Sequence, residues 1–210
     1  MSESDMFSSG ANKFASLEDV INALKRMKKD PLADAGTKVV ISRGNPEARL
    51  LIIGEAPGPE ENVKGKPFVG RAGQMLDKVL QAADFDPEKD VYIINSVFRM
   101  PPGEAGKAFR KPTNEEIDYY RPYVFEIIRL IDPRVILLTG NVACQSVLKK
   151  TGITSLRGKW TQIDDHWIMP IFHPSYLLRN PVREPGSPKS LMWEDIREVR
   201  KKYDKLTKKD

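Results

Sequence analysis

Four short, nearly unbroken apolar runs, "RLLIIG", "DVYIIN", "RVILLTG" and "HWIMPIF", recur between Arg49 and Phe172. They are separated by segments with helical spacing. Continuous apolarity over five or six residues predicts strands buried on both faces, and strands alternating with helices predict a parallel sheet covered on both sides. The expected fold is therefore α/β: a three-layer α/β/α sandwich around a central, mainly parallel four-stranded sheet.

The intervening helices carry recognisable start signals. "SLEDVINALKRMKKD" opens with Ser-x-x-Asp and ends in basic residues; "TNEEIDYYRPYVFEIIRLI" opens with Thr113 and Glu116 in a capping-box pattern. "AGQMLDKVLQAADF", "NVACQSVLKK" and the closing "LMWEDIREVRKKYDKL" complete the set. Residues 1–15 are expected to be disordered, with residues 16–206 forming one domain.

In a parallel sheet of this kind, ligands bind beyond the carboxyl ends of the strands. That rule gathers four connections at one edge: "GEAPGPEE", "NSVFRMPPG", "GNVACQ" and "HPSYLLRNP", all expected to be loops. Together they offer Glu55, Glu60 and Glu61, Asn95, a helix N-terminus after Gly140, and His173. A carboxylate can orient water, an amide can read an amide-like ligand edge, and a histidine can donate to a developing anion. The set suits hydrolysis of a bond whose leaving group is anionic.

Other chemistries are poorly served. "GPEENVKGKPF" lacks the spacing of a phosphate-binding loop, and no His-Glu-x-x-His or Cys-x-x-Cys pair offers zinc ligands. The single cysteine, Cys144, excludes an intramolecular disulfide and a thiolate-rich cluster. No apolar run approaches the ~18 residues of a membrane span. The chain is read as a cytoplasmic protein, and its net charge of +5 permits a polyanionic partner.

Taken in order, "GEAPGPEE", "GKPFVGRAGQML", "IINSVFRMPPG" and "HPSYLLRNP" resemble the motifs of the uracil-DNA glycosylase superfamily, most closely its bacterial and archaeal family four, from about Met27 to Tyr203. The resemblance implies a monofunctional, metal-independent, base-flipping enzyme that removes uracil from single- or double-stranded DNA and starts base-excision repair, acting as a monomer. Glycosylases for hypoxanthine or xanthine, and a homologue that only binds DNA, stay open as alternatives.

Carried over to this sequence, the resemblance makes Glu55 and His173 catalytic, the first orienting water and the second stabilising charge on the uracil carbonyl. Glu61 supports them. Gly54, Ala56, Phe68 and Asn95 become substrate-binding positions, Phe68 as a stacking platform and Asn95 as the reader of the uracil edge. Ser175, Leu177, Leu178 and Arg179 become DNA-binding, with the two leucines as wedges for the gap left by the base. Lys107, Arg110 and Lys111, in a loop longer than the family's and without histidine, are expected on backbone phosphates.

Besides that longer loop, the sequence departs from the family at its cluster positions. Family four holds a four-iron cluster on four cysteines, but the matching positions here are Met27, Asp30, Arg99 and Tyr120. No cofactor and no metal are therefore expected. Packing of Met27 with Tyr120 and an ion pair between Asp30 and Arg99 are expected in its place.

Overall fold

The computed structural model describes residue 7, residues 13–103 and residues 108–207. The strands β1 (Ser42–Gly44), β2 (Leu50–Gly54), β3 (Val91–Asn95), β4 (Val135–Thr139), β5 (Thr161–Ile163) and β6 (His166–Ile171) form one sheet in the order β1-β3-β2-β4-β6-β5. The four expected strands are its parallel core: β3 and β4 flank β2, and β6 flanks β4. The sheet is larger than expected, because β1 and β5 add antiparallel edges against β3 and β6.

The core strands feed two separate apolar layers through the strand period of two. Leu51, Ile53, Tyr92, Ile94, Ile136 and Leu138 point to one side, where they meet α1 (Leu17–Arg26), α4 (Asn114–Ile131) and α5 (Asn141–Leu148) through Leu24, Val124 and Val147. Leu50, Ile52, Val91, Ile93, Val135 and Leu137 point to the other. There they meet α3 (Arg71–Ala82), α7 (Pro174–Arg179) and α8 (Pro188–Thr207) through Leu76, Leu80, Leu177 and Ile196. Each fully buried Leu or Ile contributes about 1.5–3 kcal/mol, so this partition explains why the runs read as unbroken rather than alternating.

Start signals operate as the sequence implied. Ser16 caps α1 and Thr113 caps α4, each in a reciprocal capping box with Asp19 and Glu116 respectively. Two short helices replace expected loops: α2 (Pro59–Lys64) lies inside the acidic turn, and α7 follows His173. Both begin with proline, whose missing N–H costs nothing in a first turn. A one-turn helix, α6 (Ile153–Leu156), follows α5.

Most of the segment expected to be disordered lies outside the described residues. Phe7 and Phe14 correct that expectation: Phe7 is buried edge-on against Phe125 and His166, and Phe14 packs near Tyr123 while its carbonyl accepts from Arg129 (2.8 Å). No described helix is long and apolar enough to cross a membrane.

Candidate active site

The tips of β2 and β3 are in register, with Gly54 opposite Asn95. They are tied together beyond the ladder: Ser96 donates to the Gly54 carbonyl from both N–H and hydroxyl (2.9 and 2.7 Å), and Val97 N–H donates to the Glu55 carbonyl (3.1 Å). A Cβ at position 54 would lie 2.5 Å from the Phe68 ring and overlap the Asn95 Oδ1. Only glycine lets the amide and the ring converge there. Asn95 is 2% exposed, and its side-chain amide has no hydrogen-bond partner among the described residues.

Phe68 is buried and holds a left-handed backbone at φ 53°, a strained conformation for an aromatic residue that its surroundings must enforce. Glu61 supplies that constraint. One carboxylate oxygen accepts from Val69 and Gly70 N–H (3.0 and 2.8 Å), the other from Gly58 N–H (3.2 Å). On the other side Gly73 presses so close that a Cβ would collide with the Phe68 carbonyl. Glu61, expected to support catalysis, thus has both oxygens occupied by backbone and acts as the clamp of the Phe68 turn. Glu60 pairs only with Lys64 on the surface (3.3 Å).

His173 caps α7 with its own ring. Ser175 N–H, which can only donate, points at Nδ1 (3.2 Å), and the Ser175 hydroxyl approaches the same atom at 2.8 Å. Nδ1 is therefore the acceptor, and the neutral imidazole carries its proton on Nε2. Burial, with the nearby charges of Arg179 and Lys111, lowers the His173 pKa to about 4, so the ring is neutral at physiological pH. The rings of His173 and Phe68 lie 6.0 Å apart, tilted by 32°. Gly140, at φ 87°, lets the start of α5 approach, since a Cβ there would sit 3.1 Å from the His173 Cβ.

Glu55 follows Gly54, partly buried and without a side-chain hydrogen-bond partner among the described residues. Burial raises its pKa, against the opposing pull of Lys111 and Arg179. Ala56, beside it, packs on the apolar layer around α4.

The expected DNA contacts divide. Lys111 and Arg179 are exposed, and both bear electrostatically on Glu55 and His173. Ser175 serves His173. Leu177, expected as a wedge, is 1% exposed and packed in the layer of α3 and α8; Leu178 is half-buried. Arg110 forms a forked ion pair with buried Glu116 (2.7 and 2.9 Å), so its charge braces the start of α4. Lys107 lies outside the described residues. Reasoning from sequence missed Gly73 and the clearance role of Gly140, whose only signal was glycine at a helix start.

The four positions matched to cluster ligands converge on one network. Arg99 Nε donates to Asp30 Oδ2 (3.0 Å), Tyr120 OH and Leu32 N–H donate to Asp30 Oδ1 (2.6 and 2.9 Å), and the Arg99 guanidinium also reaches the carbonyls of Met27 (3.3 Å) and Thr37. The Asp30–Arg99 pair is thus formed. Tyr120 bonds to Asp30, while Met27 packs on the core that contains Tyr120. No group of three or more His, Cys, Asp and Glu that could hold a metal occurs among the described residues. These side chains do not fit a thiolate-bound iron cluster.

The parallel strand tips of this α/β domain bring a carboxylate, an amide and an aromatic ring that meet at Gly54, and a neutral imidazole to one edge of the sheet. The chain belongs to the uracil DNA glycosylase superfamily, whose family model matches residues 41–197. It is 36% identical over 189 residues to a type-4 uracil-DNA glycosylase of Thermotoga maritima, covering 88% of this chain and 93% of that one. A type-4 enzyme of Archaeoglobus fulgidus is 33% identical over 176 residues (79% and 85%), and one of Sulfurisphaera tokodaii 31% over 194 (88% and 84%).

Proposed function

We propose that this protein is a uracil-DNA glycosylase that hydrolyses the bond between uracil and deoxyribose, leaves an abasic site and needs no iron–sulfur cluster. The observation that carries the reading is the Asn95 amide, which makes no hydrogen bond among the described residues and meets the Phe68 ring at Gly54. An amide with both its carbonyl and its N–H free is complemented by a ligand that carries an adjacent carbonyl and N–H. Uracil presents that pair and a flat face for Phe68.

The base reaches this pocket only by leaving the helix stack, at a cost of a few kcal/mol. The C1′–N1 bond breaks with both electrons leaving on uracil, and the sugar acquires oxocarbenium character. Glu55, ionised and partly desolvated, stabilises that charge, orients water toward C1′ and takes a water proton as the oxygen adds. His173 donates from Nε2–H to the uracil carbonyl as negative charge builds, with no proton transfer required.

The test is incubation with single- and double-stranded oligonucleotides bearing uracil, hypoxanthine or xanthine, followed by alkaline cleavage of abasic sites. Cleavage at uracil is expected. Binding without cleavage on every substrate overturns the enzyme reading, and cleavage at hypoxanthine or xanthine alone overturns the base assignment.

A further inference from the structure

Four aromatic side chains are markedly exposed among the described residues: Phe109, Tyr119, Tyr176 and Trp193. Two have a polar or charged partner of their own. The Tyr119 hydroxyl donates to the Lys29 carbonyl (2.8 Å), and Arg197 lies over the Trp193 ring at 5.9 Å. The other two are close in sequence to the site's cations. Phe109, 48% exposed, precedes Lys111 by two residues, and Tyr176, 38% exposed, precedes Arg179 by three.

Both rings sit on fixed backbone. Phe109 pairs with Pro102 in an antiparallel bridge, and the next residue is anchored through Arg110 N–H to the Pro101 carbonyl (3.3 Å) and the forked Glu116 pair. Tyr176 belongs to α7, and its ring lies 5.1 Å from that of Phe172, tilted by 53°. Single exposed apolar residues are ordinary. Here each exposed ring is close in sequence to a cation that bears on Glu55 and His173, and the two pairs arrive on different elements.

Extruding a nucleotide leaves its two neighbours without a stacking partner, and of the two leucines expected to fill that gap, Leu177 is packed in the core and Leu178 is half-buried. We propose, resting on the uracil-excision reading, that Phe109 and Tyr176 are stacking platforms for the bases flanking the extruded nucleotide in the same DNA strand, while Lys111 and Arg179 meet the adjoining phosphates. An aromatic face accepts any base, and the paired cations complement the backbone. The clamp needs only one strand.

The test measures binding of the full chain to a fluorescent single-stranded oligonucleotide containing 2′-β-fluoro-deoxyuridine, whose fluorine blocks cleavage. Phe109→Ala and Tyr176→Ala are each expected to weaken binding about tenfold. Phe109→Tyr and Tyr176→Phe, which keep the ring, should bind as wild type. Replacing the flanking nucleotides by base-free analogues should weaken wild type similarly and leave the Ala variants little further affected. Ala variants that bind within twofold of wild type, or losses from protein and DNA changes that simply add, overturn the clamp. Excision of uracil by wild type is scored separately: its absence overturns the proposed function, whereas unchanged binding alongside normal excision overturns only the clamp.

Discussion

Removing the Asp30 carboxylate tests whether a hydrogen-bonded network holds the segments that meet at Met27, Asp30, Arg99 and Tyr120. The Asp30 side chain is fully buried, and its two oxygens take Arg99 Nε at 3.0 Å, Tyr120 OH at 2.6 Å and Leu32 N–H at 2.9 Å. Asp30→Ala strands a guanidinium whose side chain is only 13% exposed, together with a buried phenol. Breaking a buried pair by deleting one partner costs about 3–5 kcal/mol. For a chain of 210 residues, with about 2–4 °C of Tm lost per kcal/mol, the expected drop is roughly 6–20 °C. Asp30→Asn keeps an acceptor for Tyr120 and Leu32 while losing the charge, so it should fall between, at about 1.5–3 kcal/mol. Arg99→Met in the Asp30→Ala background should recover stability, because the stranded cation is gone. The assay is urea and thermal denaturation of wild type, Asp30→Ala, Arg99→Met and the double variant as a double-mutant cycle, with Asp30→Asn measured alongside. A Tm drop below about 2 °C for Asp30→Ala, or losses at Asp30 and Arg99 that add with coupling under about 0.5 kcal/mol, would refute the reasoning.

Gly54→Ala pushes a Cβ against Phe68 and Asn95, and a displacement of about 1 Å at a reacting centre can cost about 100-fold; uracil excision should fall by that order in kcat/KM, and near-normal kinetics would remove the pocket from beneath Phe68. Glu55 works ionised and burial raises its pKa above the ordinary 4.5, so activity should decline as pH falls through that raised value, and Glu55→Gln should lose this limb along with about 100-fold or more in rate. His173 titrates near 6.5 when unfolded and about 4 when folded, so its contribution of about 3 kcal/mol is present above pH 6.5 and is lost as pH falls from there through 4; a His173→Gln protein whose stability follows the same pH curve as wild type would contradict a buried neutral ring. Leu177→Ala should destabilise by about 2–5 kcal/mol yet leave single-strand binding within twofold, whereas a wedge would show the reverse, in titrations below the Tm.

The parallel core was legible because β2, β3 and β4 bury every residue, and burial on both faces leaves a run that can be read without knowing its neighbours. The edges were not. "SRG" and "TQI" are three residues long and carry polar side chains, so no period can be counted in them; they are strands because β3 and β6 offer open ladders. The helices α2 and α7 escaped for the same reason, since six residues make less than two turns and the helical period needs a window about twice as long.

That miss at α7 decided which parts of the site could be foreseen. Glu55, Asn95 and His173 stand at strand tips whatever follows them, so topology alone brought them together. Leu177 read as a wedge because an apolar residue in a loop has nowhere else to go; once residues 174–179 close into a helix, its side faces α3 and α8 and it joins the core. The same closure aims Ser175 N–H at Nδ1 and so fixes the proton of His173 on Nε2. Glu61 shows the converse, since a carboxylate three residues after Gly58 looks reactive until α2 turns it back onto Gly58, Val69 and Gly70. Residues that react are visible as chemistry in the sequence, but those that hold them act through backbone N–H groups and missing Cβ atoms, which acquire meaning only when the chain has folded around them.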